Sequence, residues 1–152
     1  MNPAPARSLP DALPANITYL IPNESEAALL ADCAIDDVHG VETAVSRLCQ
    51  LGVTTIVITM GSRGAYLYSG DASFMVPAFP VQPVDTTAAG DAFVAGMAVA
   101  VGEKLPLAGA VRFAAAVGAL ATTKHEAQPS LPMRTAVQQI LISCVSDSCG
   151  KF

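Results

Sequence analysis

The residues with the most chemistry in them lie in one stretch, Val84-Asp85-Thr86-Thr87-Ala88-Ala89-Gly90-Asp91-Ala92-Phe93. Small residues and a glycine lead straight into the apolar run from Ala92 to Val101, which no polar face interrupts and which predicts a buried helix. The first turn of such a helix has N–H groups without an intrahelical acceptor. Ala88, Ala89, Gly90 and Asp91 would then aim donors at one point, with nothing larger than a methyl group shielding the backbone. An anion fits there. Asp91 adds a carboxylate beside it, where a base stands if the anion is a phosphoryl group in transfer. The plainer reading of Gly90-Asp91 is a helix cap, since Asp is a favoured N-cap residue. Two threonines, two alanines, a glycine and a second acid, Asp85, are more than a cap requires.

Two further groupings carry polar atoms at suggestive spacing. Thr59-Met60-Gly61-Ser62-Arg63-Gly64 offers hydroxyls and exposed backbone directly after a strand, although an ordinary turn between two strands has the same composition. Arg63 fits a solvated surface role. Asn23-x-x-Glu26 opens a helix and has the form of a capping box.

The elements that must position these residues follow the order strand, helix, helix, strand, hairpin, loop and helix. Pro3, Pro5, Pro10 and Pro14 make residues 2–14 an extended loop with at most one helical turn. Ile17–Ile21 reads as a short strand stopped by Pro22, and Asn23 as the cap of the helix that follows. Val41 to Leu51 has helical spacing and ends at Gly52. Thr54–Thr59 is β-branched throughout, apolar on both faces, and fits a parallel sheet covered on both sides. Ala65–Ser69 and Phe74–Pro77 read as strands around Gly70-Asp71. A second apolar helix spans roughly Leu105 to Ala121, and an amphipathic one about Arg134 to Ile142. The tail from Ser143 to Phe152 has no periodicity and is expected to fray. These patterns define an α/β class with ligands beyond the carboxyl ends of parallel strands.

Composition narrows the partners. The chain has 152 residues, one domain's worth, with 52% hydrophobic and only 14% charged residues. A formal net charge of −5 argues against nucleic acid, but not against ATP, whose phosphates need local donors. No apolar run reaches the ~18 residues that span a bilayer, and the first ten residues lack the apolar core of a signal peptide. Cys33, Cys49, Cys144 and Cys149 form no C-x-x-C pair, so zinc is not expected and a cytoplasmic protein with reduced thiols is.

Asp85-Thr86-Thr87-Ala88-Ala89-Gly90-Asp91 resembles the D-T-x-[GA]-A-G-D signature of the ribokinase/PfkB sugar kinase family. Thr59-Met60-Gly61-Ser62-Arg63-Gly64 is similar to that family's T-x-G-x-x-G phosphate loop, and Asn23-x-x-Glu26 to its N-x-x-E motif. Asn2-Pro3-Ala4-Pro5-Ala6 and Ala127-Gln128-Pro129-Ser130 resemble the bacterial ribokinase branch. The likeness runs from Asn2 to about Ile142, in family order. It implies a ribokinase-like, Rossmann-like α/β fold: a mostly parallel sheet with helices on both faces, truncated to the C-terminal half of the family's domain. Residues 1–142 would form the nucleotide-binding and catalytic portion and 143–152 a tail. The other half supplies, in the family, most sugar-binding residues and a lid sheet that forms the dimer contact. Partners are then ATP and a small sugar, with a homo-oligomer or complementation by an N-terminal half.

The resemblance also implies roles. Asp91 becomes the general base toward a sugar hydroxyl, and the N–H groups of Ala88, Ala89 and Gly90 stabilise the γ-phosphoryl oxygens. Thr59, Gly61, Ser62 and Gly64 hold ATP phosphates, and His125 could flank the base. Asn23 and Glu26 order water around Mg²⁺. Asp85, Thr87 and carbonyls of the Thr122–Ala127 loop, from Thr122 to Ala127, resemble a monovalent-cation site for K⁺. Glu126 stands where relatives usually have Gly, and Ala115 where many have His or Asn near the adenine. The implied activity is ATP-dependent phosphorylation of a pentose, ribose foremost. A non-catalytic nucleotide-binding or structural fragment is the alternative. Sugar choice among fructokinase, adenosine kinase and deoxyribokinase relatives stays open, because the residues that make it lie mostly outside this chain.

Overall fold

The structure is a computed structural model that describes residues 1–4, 7, 13–70, 72–125 and 130–148. The chain forms two compact units, Met1–Val76 and Pro77–Phe152.

In the first unit, strands β1 (Thr55–Thr59), β2 (Ala65–Ser69) and β3 (Ala72–Val76) form a sheet in the order β1-β2-β3. Both pairings are antiparallel, with Thr59 opposite Ala65 and Ala65 opposite Val76. The connections are too short for anything else, since a parallel neighbour needs a crossover of roughly a dozen residues or more. Parallel pairing does occur on the free edge of β1, where Leu20 bridges Ile56 and Asn23 bridges Thr59. Leu20 N donates to Thr55 O at 3.0 Å, Val57 N to Leu20 O at 2.8 Å and Thr59 N to Pro22 O at 2.9 Å. The α/β class therefore holds. Within the described residues, however, the expected parallel character is confined to this one edge. The strand expected at Ile17–Ile21 is a pair of bridges shifted toward Asn23, because Pro22 has no N–H to extend a ladder.

Between the bridged segment and β1 the chain forms α1 (Glu24–Ala31) and α2 (Val38–Gln50). Val41, Ala44, Val45 and Leu48 form the buried stripe of α2 that their spacing predicts. They pack with Leu20, Ala27, Ile56, Ile58 and Met60 in one core. The helix begins at Val38 rather than Val41 because Asp37 accepts the Gly40 N–H at 2.8 Å, a cap that spacing alone does not reveal. Thr55 to Ile58 are all buried, which explains why β1 carries apolar residues on both faces.

The second unit holds α3 (Ala89–Gly102), α4 (Leu107–Ala121) and α5 (Arg134–Ser148). Helices α3 and α4 approach closely through small residues: a Cβ on Gly96 would lie 3.0 Å from the Ala114 Cα and 3.0 Å from the Val117 side chain. Ala92, Phe93, Gly96, Met97 and Ala100 are buried on α3. The expectation of burial all round is not met, for Ala95, Ala98 and Val99 are exposed, Val99 by 47%. Apolar residues tolerate a solvent face, so an uninterrupted run does not fix how many sides are covered.

Helix α5 continues through Ser143 to Ser148, where fraying was expected. Neither Gly nor Pro interrupts the chain before Gly150, and a polar sequence can still complete its backbone hydrogen bonds. Arg134 at its start pairs with Glu103 just after α3. That guanidinium, by its hydrogen bonds first and its charge second, holds the Glu103 carboxyl below its ordinary range. Arg134 also lies over the Phe113 ring at 5.8 Å, and Arg112 over Phe79 at 5.6 Å. Among the described residues no helix is long and apolar enough to cross a membrane.

Candidate functional site

In the Met1–Val76 unit two of the three motifs meet. The bridge between Asn23 and Thr59 sets the start of α1 beside the end of β1. This is the carboxyl end of the parallel pair, where α/β folds bind ligands. Asn23 and Glu26 form a reciprocal capping box: Asn23 Oδ1 accepts the Glu26 N–H at 2.9 Å, and Glu26 Oε2 accepts the Asn23 N–H at 2.8 Å. The plain reading of the motif is thus present. It leaves Asn23 exposed and commits only one oxygen of Glu26. Replacing Asn23 by Ala is expected to cost about 1 kcal/mol. For the melting of a unit of this size that is a loss of about 4–8 °C.

After β1, Gly61–Arg63 makes a single 3-10 turn. It is closed by Met60 N donating to Gly64 O at 2.8 Å and Gly64 N to Gly61 O at 3.1 Å. Gly64 has φ +98°, a conformation that residues with a Cβ rarely adopt. Among the described residues the N–H groups of Gly61 and Ser62 have no hydrogen-bond partner, and both residues are exposed. A Cβ on Gly61 would meet nothing within 4 Å. Two bare donors at an open crest suit an anion. Thr59 is half-buried and its Oγ1 donates to Pro22 O at 3.4 Å, so its hydroxyl faces the segment that leads into α1. Arg63 is not merely solvated as expected, for it pairs with Glu24. Opposite charges standing inside two motifs were the available signal.

In the Pro77–Phe152 unit, Ala88 is the N-cap of α3 with φ −96° and no side chain caps it, so Asp91 is not a cap. Asp91 lies in the first turn with its carboxylate exposed and, among the described residues, in no hydrogen bond. The cradle is narrower than expected. Ala89 N donates to Thr86 O at 3.1 Å, which leaves the N–H groups of Ala88, Gly90 and Asp91 without partners among the described residues. Ala88 is buried, Gly90 is exposed, and a Cβ on Gly90 would meet nothing within 4 Å.

Asp85 Oδ1 accepts the Thr87 N–H at 2.9 Å and the Thr87 hydroxyl at 2.6 Å, which folds the loop back before α3. Thr122 O accepts from Val84 N at 2.7 Å and Asp85 N at 3.0 Å. Both lone pairs of that carbonyl are spent, so the use of Thr122 O as a ligand for K⁺ does not fit this geometry. Asp85 and the Thr87 carbonyl remain as oxygen donors, whereas Ala127, Glu126 and the Gln128-Pro129 pair lie outside the described residues. His125 is exposed. Ala115 is on α4. Among the described residues no three His, Cys, Asp or Glu side chains cluster as a metal site. Mg²⁺ fits Asn23 and Glu26 only as ligands acting through water, with substrate phosphates completing its shell.

An open glycine turn after the parallel-paired strand in one unit, and in the other a helix whose first turn carries an exposed carboxylate, are both features that suit an anion. The sequence model of the pfkB family carbohydrate kinases matches residues 1–134, and the chain belongs to that family. It is 37% identical over 141 residues to the ribokinase of Haemophilus influenzae, covering 93% of this chain and 46% of that protein. Against the Bacillus subtilis ribokinase the identity is 38%, with 93% and 45% covered. The Arabidopsis thaliana ribokinase solved with ribose and ATP superposes with a TM-score of 0.85 at 34% identity, over 89% of this chain and 44% of that one. Thermotoga maritima ribokinase gives a TM-score of 0.84 at 35% identity, over 93% and 48%. The chain thus spans about half the length of the curated relatives it matches.

Proposed function

We propose that these residues form the ATP-handling and catalytic half of a sugar kinase that phosphorylates the primary hydroxyl of a pentose, ribose foremost. The observation that carries the reading is the opening of α3: partnerless N–H groups, open space in front of Gly90, and a free, exposed Asp91 carboxylate in the same turn. In the reaction Asp91 accepts the hydroxyl proton as the sugar oxygen bonds to the γ-phosphorus. The bond from that phosphorus to the β–γ bridging oxygen breaks, and ADP leaves. The N–H groups of Ala88, Gly90 and Asp91 stabilise the charge on the transferring group, the main service a protein renders to phosphoryl transfer. In the Met1–Val76 unit Thr59, Gly61, Ser62 and Gly64 offer contacts to phosphate, and the family resemblance gives His125 a place at the base. Asn23 and Glu26 would hold Mg²⁺, which would supply neutralisation of the phosphate charge. Asp85 and Thr87 would supply oxygen donors for K⁺.

In a second reading these residues bind nucleotide without turnover of their own, since the donors described suit phosphate. Holding two reactants in line supplies roughly 7–11 kcal/mol of a barrier, and these residues hold only one of them. The two readings share a nucleotide site and differ in turnover.

The test is calorimetry and thermal melting of the chain with ATP–Mg²⁺. Binding, with a rise in melting temperature, is expected; no response at millimolar nucleotide overturns the site. Gly90→Ala sharpens the result. No protein atom resists the new methyl, so the ligand-free melting temperature is expected not to fall. The methyl fills the anion's approach, and affinity is expected to drop about tenfold, the worth of one donor contact.

A further inference from the structure

The two motifs of the Met1–Val76 unit are joined by a contact that neither motif contains. Glu24 stands between Asn23 and Glu26 and Arg63 between Ser62 and Gly64, and the Arg63 guanidinium donates to Glu24 Oε1. It is the one salt bridge inside this unit among the described residues. The side chains stay 46% and 30% exposed, so the pair adds little to stability.

What it holds is the glycine turn. Gly61 at φ +55° and Gly64 at φ +98° give that backbone unusual freedom, and the space around the Gly61 Cα is open. Short backbone bonds close the turn on itself and on β1, but none fixes its crest against α1. Arg63 does so by a side chain anchored one residue after the helix cap.

We propose that the Glu24–Arg63 pair is a positioning device that holds the Gly61 and Ser62 N–H groups in register with Asn23 and Glu26, so that nucleotide phosphates meet a preset cradle. The inference rests on the nucleotide reading above. Both residues are positioning residues, and Arg63 is turned toward Glu24 rather than offered to the phosphate.

The experiment is ATP–Mg²⁺ calorimetry on the chain at low ionic strength, with Glu24→Gln, Arg63→Gln, both together, and Arg63→Lys. Each single glutamine variant is expected to weaken binding about two- to fivefold, the coupling range of an exposed pair. The double variant should be no weaker than either single, and Arg63→Lys, which still reaches Glu24, should stay near the unmodified affinity. Ligand-free melting temperatures should move by no more than about 2 °C. Tighter binding by Glu24→Gln together with weaker binding by Arg63→Gln would put Arg63 on the phosphate itself and overturn the proposal. So would equal affinity in all variants. If the unmodified chain binds no nucleotide, the functional reading falls and this inference with it.

Discussion

Asp91→Asn is expected to abolish sugar-dependent ADP formation while leaving ATP–Mg²⁺ affinity within about twofold, because the amide keeps the shape of the carboxylate and loses only its basicity. The measurement needs an active assembly, with the complementary half of a pfkB-family domain supplied in trans, and a coupled assay for ADP. General-base loss typically costs about 10²–10⁴ in rate. The local geometry supports a loss in kcat rather than in binding. The α3 donors that would meet phosphate are backbone N–H groups, which the substitution does not remove, and Asp91 caps nothing, so the helix start is unaffected. Affinity is also expected to hold or rise slightly, since a negative charge beside a polyphosphate is removed. Normal turnover in this variant would take Asp91 out of the chemistry. Robust turnover by the chain alone would show that the sugar needs no clamp beyond these residues.

The fold was legible wherever one element decided its own shape. The stripe Val41, Ala44, Val45 and Leu48 makes α2 from periodicity alone, and the β-branched run before Thr59 makes β1. Legibility failed where a neighbour decides. Sequence shows that β1 is covered on both faces, but not that its parallel pairing is confined to two bridges either side of Pro22. The same limit applies to α3, whose apolar surface looks alike on the buried side at Met97 and the exposed side at Val99.

The candidate site was legible as chemistry and less so as geometry. Residue types alone place donors and a carboxylate at residues 88–91, and the open space at Gly90 agrees with the absence of any bulky side chain there. Which N–H groups are free depends on turn geometry. Ala89 spends its donor on Thr86, and Thr122 spends its carbonyl on Val84 and Asp85, facts set by backbone torsions that composition does not encode. Charge pairing across motifs was also hidden, since nothing in the order of residues brings Glu24 to Arg63 until Asn23 is bridged to Thr59.

Gly96→Val is expected to produce the largest stability loss of any single exposed-to-solvent or buried glycine change in α3. The three glycines of that helix, Gly90, Gly96 and Gly102, differ in what surrounds them. At Gly90 and Gly102 a Cβ would meet nothing within 4 Å, whereas at Gly96 it would lie 3.0 Å from the Ala114 Cα and 3.0 Å from the Val117 Cβ and Cγ2. Val117 can turn, but the Ala114 contact is to backbone, so α3 and α4 must separate. Overpacking of this kind costs about 1–3 kcal/mol, against which a β-branched residue regains only part of the glycine's helix penalty. For a unit of this size the melting temperature should fall by about 5–20 °C. Gly102→Ala, at the open end of the same helix, should raise it slightly or leave it unchanged. Because the small residues at the contact let the helix that carries Asp91 lie close against α4, loss of packing at Gly96 should also weaken ATP–Mg²⁺ binding. A Gly96→Val chain that melts like the unmodified one would mean that α3 and α4 do not touch at this position.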